Sequence, residues 1–180
     1  MSDIVSLELV FDDESDAAMR EEWDALAAAD LPSQARHTGE SNRPHITLLV
    51  RPSLPDLDAA PLADALPLGM TLGAPVLFGA GRTRVIARSV VPSAALVDLH
   101  TRVHDLAGAG DDADHTRPGA WTPHVTLGRR VALDRVGDAL RVLSEHAPLE
   151  RSVRAVGIRR WETATKTVSE VVGRGTLEGC

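Results

Sequence analysis

The sequence predicts an α+β fold that is duplicated and two-lobed. Antiparallel sheets carry outer helices, and a central cleft lies between lobes related by a pseudo-two-fold axis. Three observations predict it. Short stretches alternate apolar and polar residues, while others repeat apolar residues at helical spacing, so strands and helices are interleaved. The order strand, helix, strand, helix, strand runs from about 4 to 78 and again from about 83 to 161, with a closing strand at about 166–172. A short segment is also written twice, as Pro-His-Ile-Thr-Leu at 44–48 and Pro-His-Val-Thr-Leu at 123–127, an interval of 79 residues. Shifting the first set of elements by that interval lands each near its counterpart. The 180 residues are therefore expected to form a single domain of two similar halves.

The elements follow in order. In residues 4–10, Val5, Leu7 and Leu9 share one face of a strand, and Ser6 and Glu8 the other. A helix follows, with Asp or Ser near its start and Met19, Trp23 and Leu26 on one apolar stripe. That stripe places Trp23 in the core. A polar loop leads to the strand that begins at His45, which Pro52 and Pro55 end. A short helix is predicted over about 56–66, with Gly69 ending the segment. The next stretch is a strand, with Gly73 and Pro75 marking an edge or bulge. A turn at 79–82 and another strand come next. The helix after Pro92-Ser93 carries Leu96, Leu99, Val103 and Leu106 on one stripe. An acidic loop precedes the second motif strand, and a helix and two closing strands complete the chain.

Composition narrows the function. Hydrophobic residues make up 43% and charged residues 25%, enough for a globular core. No apolar run reaches the roughly 18 residues needed to span a membrane, and the N-terminus lacks the positive region of a signal peptide. The single cysteine, Cys180, has no internal disulfide partner, which points to a reducing, cytoplasmic setting. A net charge of −7 argues against a sequence-blind grip on duplex DNA. The basic residues are arginines except for Lys166. The chain is expected to act as a monomer.

The repeated motif carries the chemistry. On a strand, His45 and Thr47 share one face, with Ile46 and Leu48 behind them, and His124 and Thr126 share a face in front of Val125 and Leu127. One His-x-Thr alone is weak, since 7 histidines and 12 threonines give about half of one by chance. Two copies at matching points of a repeated architecture are a different matter. Imidazole has a pKa near ~6.5, so one neutral histidine can take a proton from an attacking water while a protonated partner gives one to the leaving oxygen. Each threonine hydroxyl can bond a non-bridging phosphoryl oxygen. This scheme requires no metal and no cofactor.

Two His-x-Thr motifs in a duplicated chain of this length resemble the 2H phosphoesterases, and within them the 2′-5′ RNA ligase and RNA 2′,3′-cyclic phosphodiesterase branch. The resemblance implies two α+β lobes around a cleft. It also implies opening of a 2′,3′-cyclic phosphate to a 2′-phosphate, or the related joining of RNA ends through a 2′-5′ bond. His45, Thr47, His124 and Thr126 would be catalytic, with His124 as base and His45 as acid in hydrolysis. The family often has arginine three residues after the second threonine, and Arg129 matches, whereas the first motif has Val50 there. Arg43 is a second candidate phosphate contact. Trp121 and Trp161 are candidates to stack on a base. With no tyrosine and 3% aromatic residues, the sequence favours a small cyclic phosphodiester, a nucleotide or an RNA end over long RNA. The alternative is a module that binds a nucleotide or RNA phosphate in the same cleft without turnover.

Other patterns point to structure. His100 and His104 have a zinc-compatible i, i+4 spacing but lack a glutamate between them, so they are expected to be exposed helix histidines. The acidic stretch 111–115 lacks the spacing of a calcium loop and is expected to be solvated.

Overall fold

The computed structural model of the chain describes residues 3–39 and 41–173; Cys180 lies outside them. Strand β1 (Val5–Phe11) leads to helix α1 (Asp13–Ala28). The Asp12 carboxylate caps α1 by accepting from the Ser15 N–H at 2.9 Å. Strand β2 (His45–Arg51) begins at the motif histidine. The helix predicted over 56–66 is a 3₁₀ segment, Ala60–Ala65. Strand β3 (Leu68–Phe78) starts earlier than expected and takes in Gly69. Strand β4 (Thr83–Val90), helix α2 (Ala94–Ala107), strand β5 (His124–Ala132), helix α3 (Val136–His146) and strands β6 (Arg151–Glu162) and β7 (Thr167–Gly173) follow. Among the described residues no helix is long and apolar enough to cross a membrane.

The seven strands form one antiparallel sheet, in the order β1-β2-β5-β4-β3-β6-β7, with β6 also paired to β1. The expected antiparallel sheets are thus joined. The path of pairing returns to β1, and β7 extends outward from β6. Strands also exchange between the halves of the sequence: β3 pairs with β4, while β6 pairs with β1.

Register repeats with the motif interval. Val10, Leu9 and Glu8 oppose His45, Ile46 and Thr47. Adding 79 to each number gives the pairs of Ser89, Arg88 and Ala87 with His124, Val125 and Thr126, all of which are present. The two motif strands meet at one pair, Ile46 with Val125, also 79 apart. Both strands bulge directly after the threonine. Thr47 opposes Glu8 but Leu49 opposes Leu7, and Thr126 opposes Ala87 but Gly128 opposes Ile86.

The apolar faces of these strands are anchored in two clusters. Leu7, Leu9, Ile46, Leu48 and Val125 pack with Leu96, Leu99 and Val103 of α2. Trp23, Leu26, Leu127, Val136 and Leu143 form the second, beneath α1 and α3. Each fully buried Leu or Val contributes about 1.5–3 kcal/mol, so the backs of both motif strands are firmly held. Leu106, expected on the buried stripe of α2, is 37% exposed. Gly128 is required where it stands, because a Cβ there would meet the Pro32 carbonyl oxygen at 2.3 Å.

α2 also corrects the expectation for its histidines. His100 and His104 are 2% and 8% exposed, not solvated. The α2 helix packs its inner face on β2, and both rings find polar partners there. His100 Nε2 donates to the Thr116 carbonyl at 3.0 Å. His104 bridges the Leu48 carbonyl and the Asp112 carboxylate, each at 3.2 Å. Asp112 also pairs with buried Arg51, so the acidic loop is tied to the core by that residue.

Candidate active site

The motif strands present alternate side chains as their sequence requires. His45, Thr47, His124 and Thr126 are half-buried on one face, while Ile46, Leu48, Val125 and Leu127 are fully buried behind them. Extending the antiparallel Ile46–Val125 register by one residue each way sets His45 across from Thr126 and Thr47 across from His124. The structure therefore brings the four motif side chains to one place.

Both imidazoles are held in the same way. His45 Nδ1 lies 2.7 Å from the Arg43 carbonyl, and His124 Nδ1 lies 2.7 Å from the Thr122 carbonyl. A carbonyl only accepts, so each Nδ1 carries the proton and donates it. Each Nε2 is left to act on a bound molecule.

The bulges shape the rest. They reset the alternation, so that Arg129, three residues after Thr126, returns to the face of His124. Arg129 is exposed, and its charge acts on His124. Val50 holds the matching place after Thr47. Next to each bulge, a tryptophan indole N–H binds the motif threonine's carbonyl. Trp121 donates to Thr47 at 2.9 Å, and Trp23 donates to Thr126 at 3.0 Å. Trp121 is also stacked on His100, with centroids 3.9 Å apart and planes 4° apart. Its ring thus braces β2, with one face covered.

Arg43 is 40% exposed and directs its Nε to the Asp16 carboxylate at 3.1 Å. Its guanidinium is therefore partly committed to α1.

The surroundings of the two histidines differ, and sequence reasoning missed the residues responsible. Glu8, 5% exposed, places Oε1 3.7 Å from His45 Nε2. Its Oε2 accepts from Arg159 at 2.8 and 2.9 Å, and its Oε1 accepts from the Ser6 hydroxyl at 2.7 Å. Burial opposes ionisation of Glu8, but the nearby His45 charge, Arg159 and Ser6 outweigh it, and its carboxyl sits below the usual range. Ala87 stands at the matching place beside the second motif, so His124 has no such carboxylate there. Instead the Phe78 ring lies 4.5 Å from the His124 ring. Burial lowers the His124 pKa; the Thr122 carbonyl opposes this, and the charges of His115, His45 and Arg129 add to it. Ser6 and Glu8 were legible as the polar face of a strand, but nothing local in the sequence says which histidine that face meets.

Among the described residues no three His, Cys, Asp or Glu side chains converge as a metal-ligand group. A buried Nε2 of His100 and both ring nitrogens of His104 already have protein partners.

Comparison with known families matches residues 15–165 to the 2′-5′ RNA ligase superfamily, a span that contains both motifs. Among solved structures, the chain is similar to Usb1 of Kluyveromyces marxianus at 10% identity, over 94% of this chain and 96% of that one, with a TM-score of 0.46. The same protein with uridine monophosphate aligns at 11% identity, over 94% and 98%, with a TM-score of 0.47. No curated protein matches the chain.

Proposed function

The chain belongs to the 2′-5′ RNA ligase superfamily of 2H phosphoesterases, and from that premise we propose that it is a metal-independent phosphodiesterase of two pseudo-symmetric lobes, opening a 2′,3′-cyclic phosphate at an RNA end or on a nucleotide. The observation that carries the reading is the pair of His-x-Thr strands, each histidine protonated at Nδ1 by the same backbone contact. The repeated register around Ile46 and Val125 supports two related halves, about 4–78 and 83–161, within one domain.

In hydrolysis a water attacks phosphorus while His124 Nε2 takes its proton. The bond from phosphorus to O3′ breaks, and His45 Nε2 gives a proton to that oxygen. The product carries a 2′-phosphate and a free 3′-hydroxyl. Thr47 and Thr126 donate to the non-bridging oxygens, where charge lies in the transition state. Arg129 adds a positive charge at the second motif, with Arg43 at the margin of the first. The division of labour follows the surroundings. A lowered pKa keeps His124 neutral, as a base must be. The Glu8 carboxylate faces His45, a setting complementary to an imidazolium acid. With a 5′-hydroxyl attacking phosphorus in place of water, the same steps break the bond to O3′ and leave a 2′-5′ phosphodiester, the ligase reaction; run backward, the 3′-hydroxyl attacks with His45 as base, and the 5′-oxygen leaves with a proton from His124.

The test is turnover of a 2′,3′-cyclic nucleotide in excess chelator, with the product's phosphate position read by phosphorus NMR. The expected result is chelator-resistant formation of the 2′-phosphate. Tight binding without product would instead establish a non-catalytic module. Activity abolished by chelator and restored by a metal would overturn the metal-independent scheme.

A further inference from the structure

A groove of about 1000 Å³ opens on the sheet beside the first motif, on the side that β6 and β7 extend. Its floor continues the row of His45. Val10 opposes His45, Gly157 opposes Val10, and Gly173 opposes Gly157. Directly opposed residues share a face, and strands stand about 4.8 Å apart, so Gly157 lies roughly 10 Å across the sheet from His45. That is the reach of a nucleoside attached to a phosphate held at the histidine pair.

The floor is bare for a reason. A Cβ at Gly157 would come within 3.0 Å of the Val172 carbonyl oxygen and 3.3 Å of Val10 Cγ2. Two rows along, Trp161 on β6 opposes Val168 on β7, giving the groove an apolar wall. Trp161 is half-buried and Val168 is 43% exposed. The charged residues around the groove balance: Asp12, Asp13 and Glu170 against Arg43, Arg159 and Lys166. Arg159 and Glu170 oppose each other in the row between the glycines and Trp161, and Arg159 is already paired with Glu8. A groove with a bare glycine floor, a tryptophan wall and balanced charge suits a neutral planar ring better than a second phosphate.

We propose that this groove is a nucleobase subsite, which takes the base of the nucleoside whose phosphate sits between His45 and His124. The proposal rests on the two-histidine reading for the position of the phosphate. It places the base over β1, β6 and β7, against Trp161. It also assigns Trp161, rather than Trp121, as the stacking residue.

The experiment compares adenosine 2′,3′-cyclic phosphate with the methyl riboside 2′,3′-cyclic phosphate, which has the same reacting group and no base. Wild type is expected to show a KM at least tenfold lower for the adenosine compound, the scale of one lost stacking contact. Trp161→Ala should erase most of that difference by raising KM for the adenosine compound alone, with kcat little changed. Val168→Glu, on an exposed strand position, should move the same ratio in the same direction, and it keeps the test open if Trp161→Ala fails to fold. Equal KM values for the two substrates in wild type, or variants that affect both substrates alike, would overturn the subsite. If wild type turns over neither compound, the phosphodiesterase reading fails by itself. The groove is then judged by calorimetry with adenosine 2′-phosphate and methyl riboside 2′-phosphate: base-dependent affinity lost in Trp161→Ala upholds it, and equal affinities overturn it.

Discussion

At the residue scale, the two motif histidines are alike in their tether and different in their neighbours. Each gives its Nδ1 proton to the carbonyl two residues earlier. Only His45 faces a carboxylate, the buried Glu8 held by Arg159 and Ser6. Glu8→Gln keeps the shape and removes the negative charge, and kcat is expected to fall about tenfold, a modest share of the 10²–10⁴ carried by acid–base catalysis. Because that change leaves Arg159 buried without its partner, the companion variant Glu8→Gln/Arg159→Gln separates charge at the site from loss of stability. Rates that stay low in the folded double variant support the role of Glu8; wild-type rates in either folded variant refute it. His45, Thr47, His124 and Thr126 were legible from the repeat of the motif itself. Glu8 and Arg159 were not, because they meet only through pairing of strands some 150 residues apart in the chain.

At the element scale, the bulge after each threonine is the feature that alternation alone could not give. It brings Arg129 back to the face of His124 and sets the threonine carbonyls beside the indoles of Trp23 and Trp121. Trp23 was legible as a core residue from its helical stripe, but its bond to the second motif was not. Helix α2 departs most from its sequence reading. Its histidines fall at a spacing that suits either solvent or metal, and packing on β2 decided otherwise. His100 lies between Trp121 and the Thr116 carbonyl, and burial, with the His104 charge adding to it, lowers its pKa to about 4. The unfolded chain therefore takes up a proton near pH ~6.5 that the folded chain refuses until about pH 4. Unfolding then binds more protons, so stability falls as pH drops through that window. Urea unfolding at pH 7 and pH 4.5 should show this loss, and His100→Phe, which keeps the stack on Trp121, should make it smaller. An unchanged loss in the variant would show that His100 is not its source.

At the scale of the whole molecule, the element order and the interval of 79 residues were enough to expect related halves. They did not reveal that β3 and β6 exchange partners or that all seven strands join in one sheet, since a strand's own residues do not name its neighbour. The exchange matters for function. It places Arg159 and Gly157 of the second half of the chain opposite Glu8 and Val10, the β1 residues that oppose Thr47 and His45, so the surroundings of His45 are built from both ends of the sequence. In the proposed mechanism His45 and His124, one from each motif strand, work as one acid–base unit. The most direct test is kcat for a 2′,3′-cyclic nucleotide in His45→Ala, His124→Ala and the double variant. Each single change is expected to lower kcat by roughly 10²–10⁴, and the double variant should be no slower than the worse single, as for groups that act together. Singles that retain wild-type rates, or losses that multiply in the double variant, would contradict it.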